Sequence, residues 1–122
     1  MRSHRTLRVW QLAIVLIRFI YQATRGFPKD ETYGLRSQIR RAAVSVATNI
    51  AEGNARHGPG EAAHGLSMAI GSLAEVDTLV VVCAAEGHFD AATTREFETQ
   101  AAHLNQLLLA RAQKMRAAAK RR

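Results

Sequence analysis

Residues 35–53, which read LRSQIRRAAVSVATNIAEG, determine how the rest of the chain has to fold. Their spacing predicts one long helix with two unlike faces. An apolar stripe at the spacing of a helix core is formed by Leu35, Ile39, Ala42, Ala43, Val46 and Ile50. A polar ladder whose members are three or four residues apart is formed by Arg41, Ser45, Asn49 and Glu52. Because the two faces need different neighbours, the pattern favours a bundle of helices.

The composition predicts one soluble domain. The chain has 122 residues, of which 48% are hydrophobic, and this length can bury a core of its own. Cys83 is the only cysteine, so no intrachain disulfide can form and a reducing compartment is favoured. The start lacks the pattern of a secretory leader, and the apolar run 9–21 is shorter than the roughly 20 residues that a bilayer requires. We therefore expect a cytoplasmic protein without a membrane segment.

Charge is distributed unevenly along the chain, whose formal net charge is +7 at pH 7. Residues 1–41 contain nine lysines and arginines against two acidic residues, and residues 99–122 contain six against none. Residues 42–98 contain two against eight. Both ends are therefore basic and the middle is acidic. If the two ends lie together in the fold, they form a basic surface of the kind that attracts polyanions.

Apolar periodicity, glycine and proline predict four helices, with expected bounds of about 7–25, 31–57, 61–86 and 91–115. We expect Asp30 and Thr32 to cap the second helix, and Asp90 or the Thr93-x-x-Glu96 capping box to open the fourth. Residues 1–6 are expected to form a mobile basic arm, and residues 116–122 a frayed basic tail. An up-down-up-down bundle follows from the short connections.

Two features of these helices bear on packing. The first helix carries a second apolar stripe beside its core stripe, formed by Trp10, Ile14, Ile17 and Tyr21. Its apolar face is wider than the about 100° that a monomeric bundle needs, which predicts that it also contacts another subunit. Leu107 and Leu109 widen the apolar face of the fourth helix in the same way. Gly65 and Gly71 each cost about 1 kcal/mol relative to alanine inside a helix, so we expect them to allow close helix approach.

The basic ends provide the first functional hypothesis. In the predicted topology, the start of the first helix, the turn between the second and third, and the end of the fourth lie at the same end of the molecule. The residues that would gather there are Arg2, Arg5, Arg8, Arg56, Arg111, Lys114, Arg116, Lys120, Arg121 and Arg122. Such a surface contacts phosphates without sequence specificity. The alternative is a solvated terminus that only improves solubility.

The arginines of 35–53 have predicted acidic partners. A short turn between the second and third helices pairs residues whose numbers sum to about 117. Arg40 then lies opposite Asp77, and Arg41 lies opposite Glu75 or Val76. We interpret this arrangement as a structural network within the bundle or between subunits, since a buried guanidinium requires a partner. The alternative is a phosphate contact by both arginines and Arg36. The network as predicted consists of Arg40, Arg41, Asn49, Glu52, Glu75 and Asp77.

Little in the sequence indicates catalysis. Glu61-x-x-His64 matches half of the di-metal signature of four-helix bundles, but no second Glu-x-x-His is present. Cys83 lies in an apolar run without a histidine at helical spacing, which favours a small core residue over a nucleophile. No nucleophile elbow and no glycine-rich phosphate loop occur. We therefore predict no metal, no cofactor and no enzymatic activity.

Three segments carry a family resemblance. FPKDETYGLRSQIRRAAVSVATNIAEG at 27–53, LRVWQ at 7–11 and GSLAEVDT at 71–78 resemble the bacterial four-helix bundle family typified by proteins encoded in 23S rRNA intervening sequences. The resemblance implies a small bundle that assembles into a ring-shaped homopentamer. That family is similar in fold to accessory proteins of diversity-generating retroelements, which are basic pentamers that bind nucleic acid and a reverse transcriptase. The chain departs from the family at Ala47, where proline is common, and at 62–66, where an aromatic segment is usual.

We therefore predict a single all-α domain, 1–122, folded as an antiparallel up-down-up-down four-helix bundle, with a homopentamer implied by the resemblance. Two functional hypotheses stay open. The first is a non-enzymatic module that binds RNA or DNA through its basic end. The second is a structural or adaptor oligomer that recruits a protein partner and binds no nucleic acid.

Overall fold

A computed structural model describes residues 3–121 and contains four α-helices and no strand over that range. The helices are α1 (Arg8–Ala23), α2 (Leu35–Ala55), α3 (Pro59–Ala85) and α4 (Ala91–Lys120). Single 3-10 turns, His4–Thr6 and Lys29–Glu31, precede α1 and α2. The prediction of an all-α chain with four helices is confirmed.

The four helices enclose one core. Helix α2 packs against α1 and α3, and α4 packs against α3 and α1, so each helix contacts two others. The apolar stripe of α2 is buried except for Leu35, which is half-buried. The largest fully buried side chains include Leu16, Ile20, Ile39, Ile50, Val76, Val80, Phe97, Leu104 and Leu108. Every helix therefore contributes one inward stripe, as the apolar spacing predicts.

Helices α2 and α3 have the predicted antiparallel register. The hydroxyl oxygens of Ser45 and Ser72 are 2.8 Å apart, and Gly53 lies against Gly65 near the connecting turn. A Cβ atom added to Gly65 would lie 2.6 Å from the backbone oxygen of Asn49 and 2.7 Å from the Cα of Gly53. The two backbones are therefore in direct contact, which only glycine permits.

Gly71 has a different environment from Gly65. No atom lies within 4 Å of a Cβ added to Gly71, because this residue is on the exposed face of α3. The expectation of close helix approach is confirmed for Gly65 and is wrong for Gly71 within the chain. Gly71 only lowers the helix propensity of α3.

Helix α2 begins later than expected and is capped by a different residue. Oε1 of Glu31 accepts a hydrogen bond from the backbone N–H of Leu35 at 3.0 Å, so capping by Asp30 and Thr32 is wrong. The other carboxylate oxygen of Glu31 lies 3.4 Å from Nε2 of His88. The cap is thus held by a contact with the α3–α4 connection, which a local pattern cannot show.

Helix α4 begins as predicted and ends later. Oδ1 of Asp90 accepts the backbone N–H of Thr93 at 2.7 Å, and this hydrogen bond lowers the pKa of the Asp90 carboxyl. The helix continues to Lys120, so the prediction of a frayed tail is wrong for residues 116–120. Alanines at 117–119 favour helix, and the Cβ of Ala119 packs near the start of α3.

The start of the chain is also more regular than expected. His4–Thr6 forms a 3-10 turn, and Nε2 of Gln11 donates to the backbone oxygen of Arg5 at 3.0 Å. The ring of His4 packs edge-on against Trp10 with 5.2 Å between ring centres. These contacts contradict a mobile arm from residue 4 onward. Met1, Arg2 and Arg122 lie outside the described residues.

The glycine contact can be tested by two matched substitutions in α3. Gly65→Ala is expected to lower the free energy of unfolding by about 1–3 kcal/mol, because the added methyl group pushes α2 and α3 apart. Gly71→Ala is the control and is expected to stay within about 1 kcal/mol of the wild type, since its methyl group meets no atom within 4 Å. Urea unfolding measures both. If Gly71→Ala lowers the free energy of unfolding as much as Gly65→Ala does, the close contact at Gly65 is contradicted.

Candidate nucleic-acid interface

The first and last described segments of the chain lie at the same end of the bundle. Nη2 of Arg116 in α4 donates to the hydroxyl of Ser67 in α3 at 3.1 Å, so the end of α4 packs beside the start of α3. The N-terminal 3-10 turn contacts α1 and α2. We call the following described residues the basic end: Arg5, Arg8, Arg56, Arg111, Lys114, Arg116, Lys120 and Arg121. Arg2 and Arg122, which were predicted to join this surface, lie outside the described residues.

The positive charges of the basic end are accessible and outnumber the carboxylates beside them. Its side chains are exposed except that of Arg111, which is half-buried. Among the described residues, the carboxylates at this end of the bundle are Glu52 and Glu61, which line a cleft of about 390 Å³ together with Arg56 and His64. Within residues 3–121, none of the basic-end side chains has a carboxylate within 4 Å. The basic end can therefore meet phosphate groups without breaking an ion pair.

The polar ladder of α2 is a structural network around Asn49. Nδ2 of Asn49 donates to the backbone oxygen of Ser45 at 2.9 Å and to its hydroxyl at 3.0 Å. The same nitrogen lies 3.4 Å from the hydroxyl of Ser72 in α3. Asn49 therefore makes hydrogen bonds both within α2 and toward α3, of the kind that the predicted network requires. The network does not extend to Glu52, whose side chain is exposed and makes no hydrogen bond within the described part of the chain.

Arg40 does not pair with Asp77 within the chain, contrary to the predicted network. Its Nε donates to the hydroxyl of Thr24 at 2.9 Å, and its Nη2 donates to the backbone oxygen of Tyr21 at 3.1 Å. The guanidinium carbon also lies 4.4 Å from the centre of the Tyr21 ring, a cation–π contact. The register places Arg40 correctly along α2, but the rotation of the helix turns its side chain toward α1. Asp77 is left exposed on α3.

Arg41 and Glu75 come near each other without forming an ion pair. Both line a cleft of about 440 Å³ between α2 and α3. Among the residues that the structure describes, the only contact within 4 Å between a carboxylate and a basic side chain is that of Glu31 with His88. Arg41 instead donates from Nη2 to the hydroxyl of Ser37 at 3.4 Å. The predicted network of arginines and carboxylates is therefore absent from the described chain.

The candidate metal and thiol residues are separated in the fold. His64 and Glu61 line the same cleft, but no group of three His, Cys, Asp or Glu side chains that could hold a metal occurs within residues 3–121. Cys83 is fully buried, and burial followed by the charge of Glu31 raises the pKa of its thiol to about 11. A buried, protonated thiol fits the predicted core residue and is unsuited to nucleophilic attack.

Several apolar side chains are exposed that the apolar pattern of the sequence does not predict to be so. Val81, Val82 and Met68 of α3 are 61%, 38% and 49% exposed, and the ring of Tyr33 is 96% exposed. Helix α3 is the one described helix long and apolar enough to cross a membrane, with a mean hydropathy of 1.8 over 18 residues of which 33% are buried. Core helices of soluble proteins satisfy the same criterion. The run of valines at 80–82 indicates an unusually apolar segment, but the sequence alone does not show which of these valines face outward.

The fold and its charge define a class of protein: a small, basic, all-α chain of four helices. More specifically, the chain belongs to the 23S rRNA-intervening sequence protein family, whose sequence model matches residues 5–110. The resemblance carried by 27–53 is thereby confirmed. A comparison with curated proteins finds no match.

The buried thiol predicts a pH dependence of stability. Its pKa is raised from 9.0 to about 11 in the folded chain, so between these values the unfolded chain loses the proton and the folded chain keeps it. The stability contributed by the neutral thiol is fully present below pH 9.0 and is lost as the pH rises toward 11. Chemical unfolding of the wild type and Cys83→Ala, compared at neutral pH and near pH 10.5, measures this. Between the two pH values, the wild type should lose more stability than the variant. Equal losses would contradict the raised pKa of the Cys83 thiol.

Proposed function

We propose that this protein is a non-enzymatic, cytoplasmic oligomer that binds RNA or DNA through the basic end. The observation that carries the proposal is the convergence of eight lysines and arginines at one end of the bundle, none of which has a carboxylate within 4 Å among the described residues. The formal net charge of +7 supports it, because a cationic protein attracts polyanions at long range. The single free thiol of Cys83 is compatible with a reducing compartment.

The expected mode of binding is contact with the phosphate backbone. Exposed lysines and arginines neutralise phosphates and release counterions, which makes affinity fall steeply with salt and gives no sequence preference. The helical geometry of residues 111–120 supports this mode, since a continuous helix holds its cations at fixed spacing along one rod. A disordered tail would lose more conformational entropy on binding.

Binding can be tested with two triple variants that remove the same charge. Lys114→Ala/Lys120→Ala/Arg121→Ala removes three charges of the basic end, and Arg18→Ala/Lys29→Ala/Arg95→Ala removes three exposed charges elsewhere. Fluorescence anisotropy with a generic labelled RNA or DNA, titrated from about 50 to 200 mM salt, measures affinity and its salt slope. We expect the first variant to bind at least tenfold more weakly at about 50 mM salt, with a salt slope shallower by about two to three.

The second triple variant is expected to stay within about threefold of the wild type, since only long-range attraction is lost. Equal weakening in both variants would show that net charge, and not the basic end, drives binding. No detectable binding of the wild type at about 50 mM salt would contradict the proposed function altogether.

We also propose that the chain self-associates, and that the oligomer is the homopentameric ring implied by the family resemblance. Support comes from the α3 apolar face, which we define as Met68, Val81 and Val82, because these side chains are exposed in the single chain. The second stripe of α1 contributes less than expected, since Trp10 and Ile14 already pack against the core of the same chain. A ring would repeat the basic end around one rim and multiply its contacts with a polyanion.

Self-association can be tested by adding charge to exposed apolar positions. Val81→Glu/Val82→Glu is expected to yield monomers that keep their helical circular dichroism, because burying a carboxylate at an apolar interface is costly. Thr99→Glu/Gln106→Glu on α4, at two exposed polar positions, adds the same charge and is the matched control, which is expected to leave the oligomer intact. Sedimentation velocity at micromolar concentration reports the assembly. A monomeric wild type would overturn the proposal, as would loss of the oligomer in the control alone.

An adaptor that recruits a protein partner is the second candidate function. Val81 and Val82 of the α3 apolar face favour it, because these adjacent residues are both exposed and exposed apolar side chains that lie together mark interaction surfaces. The nucleic-acid titration separates the two functions, since an adaptor of this kind shows no salt-dependent binding of RNA or DNA.

A further inference from the structure

We propose that a second site, at the opposite end of the bundle from the basic end, binds the phosphate group of a nucleotide and stacks its base on Tyr33. The site comprises two adjoining clefts of about 440 and 390 Å³ that share Ser37 and Arg41. We call it the arginine–tyrosine cleft, and its principal residues are Tyr21, Tyr33, Arg36, Ser37, Arg40 and Arg41. It lies about 30 Å from the basic end, since 20 residues of α2 separate Arg36 from Arg56.

Three guanidinium groups of the cleft lack a counter-ion. Within residues 3–121, no carboxylate lies within 4 Å of Arg36, Arg40 or Arg41. Arg36 and Arg40 are one helical turn apart on α2, so their charges repel. Burial lowers the pKa of Arg40, and the charges of Arg36 and Arg25 lower it further. An anion from outside the chain would relieve this repulsion, which makes the cleft suited to a phosphate group.

Arg40 is already positioned for such a ligand. Its contacts with Thr24 and Tyr21 on α1 engage Nε and Nη2 and leave Nη1 without a hydrogen bond to any described residue. A guanidinium fixed in this way loses little conformational freedom on binding, so more of the contact energy appears as affinity. The hydroxyl of Ser37, which accepts a weak hydrogen bond from Arg41 at 3.4 Å, can instead donate to a phosphate oxygen.

The location of Arg36 at the start of α2 is a second reason to expect that the cleft binds an anion. Arg36 lies in the first turn of the helix, where the helix dipole disfavours a cation and favours an anion. The carboxylate of Glu31 already accepts the backbone N–H of Leu35 in this turn, so the chain itself compensates part of the dipole. A phosphate would therefore interact chiefly with the guanidinium groups, and the dipole would add a smaller contribution.

Tyr33 indicates that the ligand is a nucleotide and not a simple anion. Its ring is 96% exposed and lines the same cleft as Arg41 and Ser37. Aromatic rings beside cationic groups provide stacking surfaces for bases in many nucleic-acid and nucleotide sites. Glu75 is the one acidic residue among the described residues that line the two clefts, so three arginines against one carboxylate give a formal charge of +2, which matches a single phosphate monoester and not a polyphosphate. The ligand is therefore a nucleoside monophosphate unit, either free or within a strand.

The test is a titration of the full-length, 15N-labelled chain with AMP, adenosine and inorganic phosphate, followed by the arginine Nε–H signals. AMP is expected to shift the signals of Arg36 and Arg41 and to bind at least about tenfold more tightly than adenosine, which lacks the charged group. Phosphate should shift the same signals at higher concentration. Equal affinity for AMP and adenosine, or shifts confined to the basic end, would overturn the proposal.

Matched variants assign the contacts. Arg36→Ala/Arg41→Ala is expected to weaken AMP binding at least about tenfold, whereas Arg18→Ala/Arg95→Ala removes the same charge outside the cleft and should change it less than about twofold. Tyr33→Ala should weaken binding, and Tyr33→Phe, which keeps the ring, should restore it. Circular dichroism confirms that each variant is folded. An equally large loss of AMP affinity in the control variant would contradict the site. Arginine variants that change only the oligomeric state and leave AMP affinity unchanged would also contradict it.

The site stands independently of the basic end. The triple variant Lys114→Ala/Lys120→Ala/Arg121→Ala is expected to bind AMP as the wild type does, so failure of one proposal leaves the other measurable. A short oligoadenylate distinguishes the two sources of the phosphate. If it binds more tightly than AMP and is weakened by the Arg36→Ala/Arg41→Ala variant, the cleft holds one unit of a strand. If it binds no more tightly than AMP, the ligand is the free nucleotide.

Discussion

The backbone contact between α2 and α3 at Gly53 and Gly65 is the constraint on which the rest of the structure depends. A Cβ at either position would lie 2.7 Å from the Cα of the other. Helices that approach this closely are fixed in both register and rotation, because no side chain separates them. The hydrogen bonds of Asn49 then lie on one side of the pair, and the apolar core lies on the other. Helices α1 and α4 complete the core and bring the chain ends beside the α2–α3 turn.

Spacing in the sequence predicts where residues lie along the bundle, but it does not fix how each helix is rotated. The predicted register correctly brings Ser45 to Ser72, whereas Arg40 points to α1 and not to Asp77. One residue of an α-helix corresponds to about 100° of rotation, so neighbouring arginines face different helices. The cap at Glu31 could not be predicted because it depends on His88, which is distant in sequence.

The helix ends act differently on the charges of the two cationic regions. At the basic end, Lys120 lies in the last turn of α4, where the helix dipole stabilises a positive charge, whereas Arg8 is the first residue of α1, where the dipole opposes one. In the arginine–tyrosine cleft, Arg36 lies in the first turn of α2, where the dipole opposes it. The proposed ligand of the cleft would therefore relieve an unfavourable charge, whereas the two helix ends act in opposite directions at the basic end.

The central claim, that the basic end is the nucleic-acid interface, is tested most directly by photocrosslinking to RNA that contains 4-thiouridine. Mass spectrometry of the crosslinked peptides identifies the residues in contact. The account predicts crosslinks within 111–121 and at the α2–α3 turn around Arg56. Crosslinks confined to the valine-rich end of α3 at 79–85, or none at low salt, would contradict it.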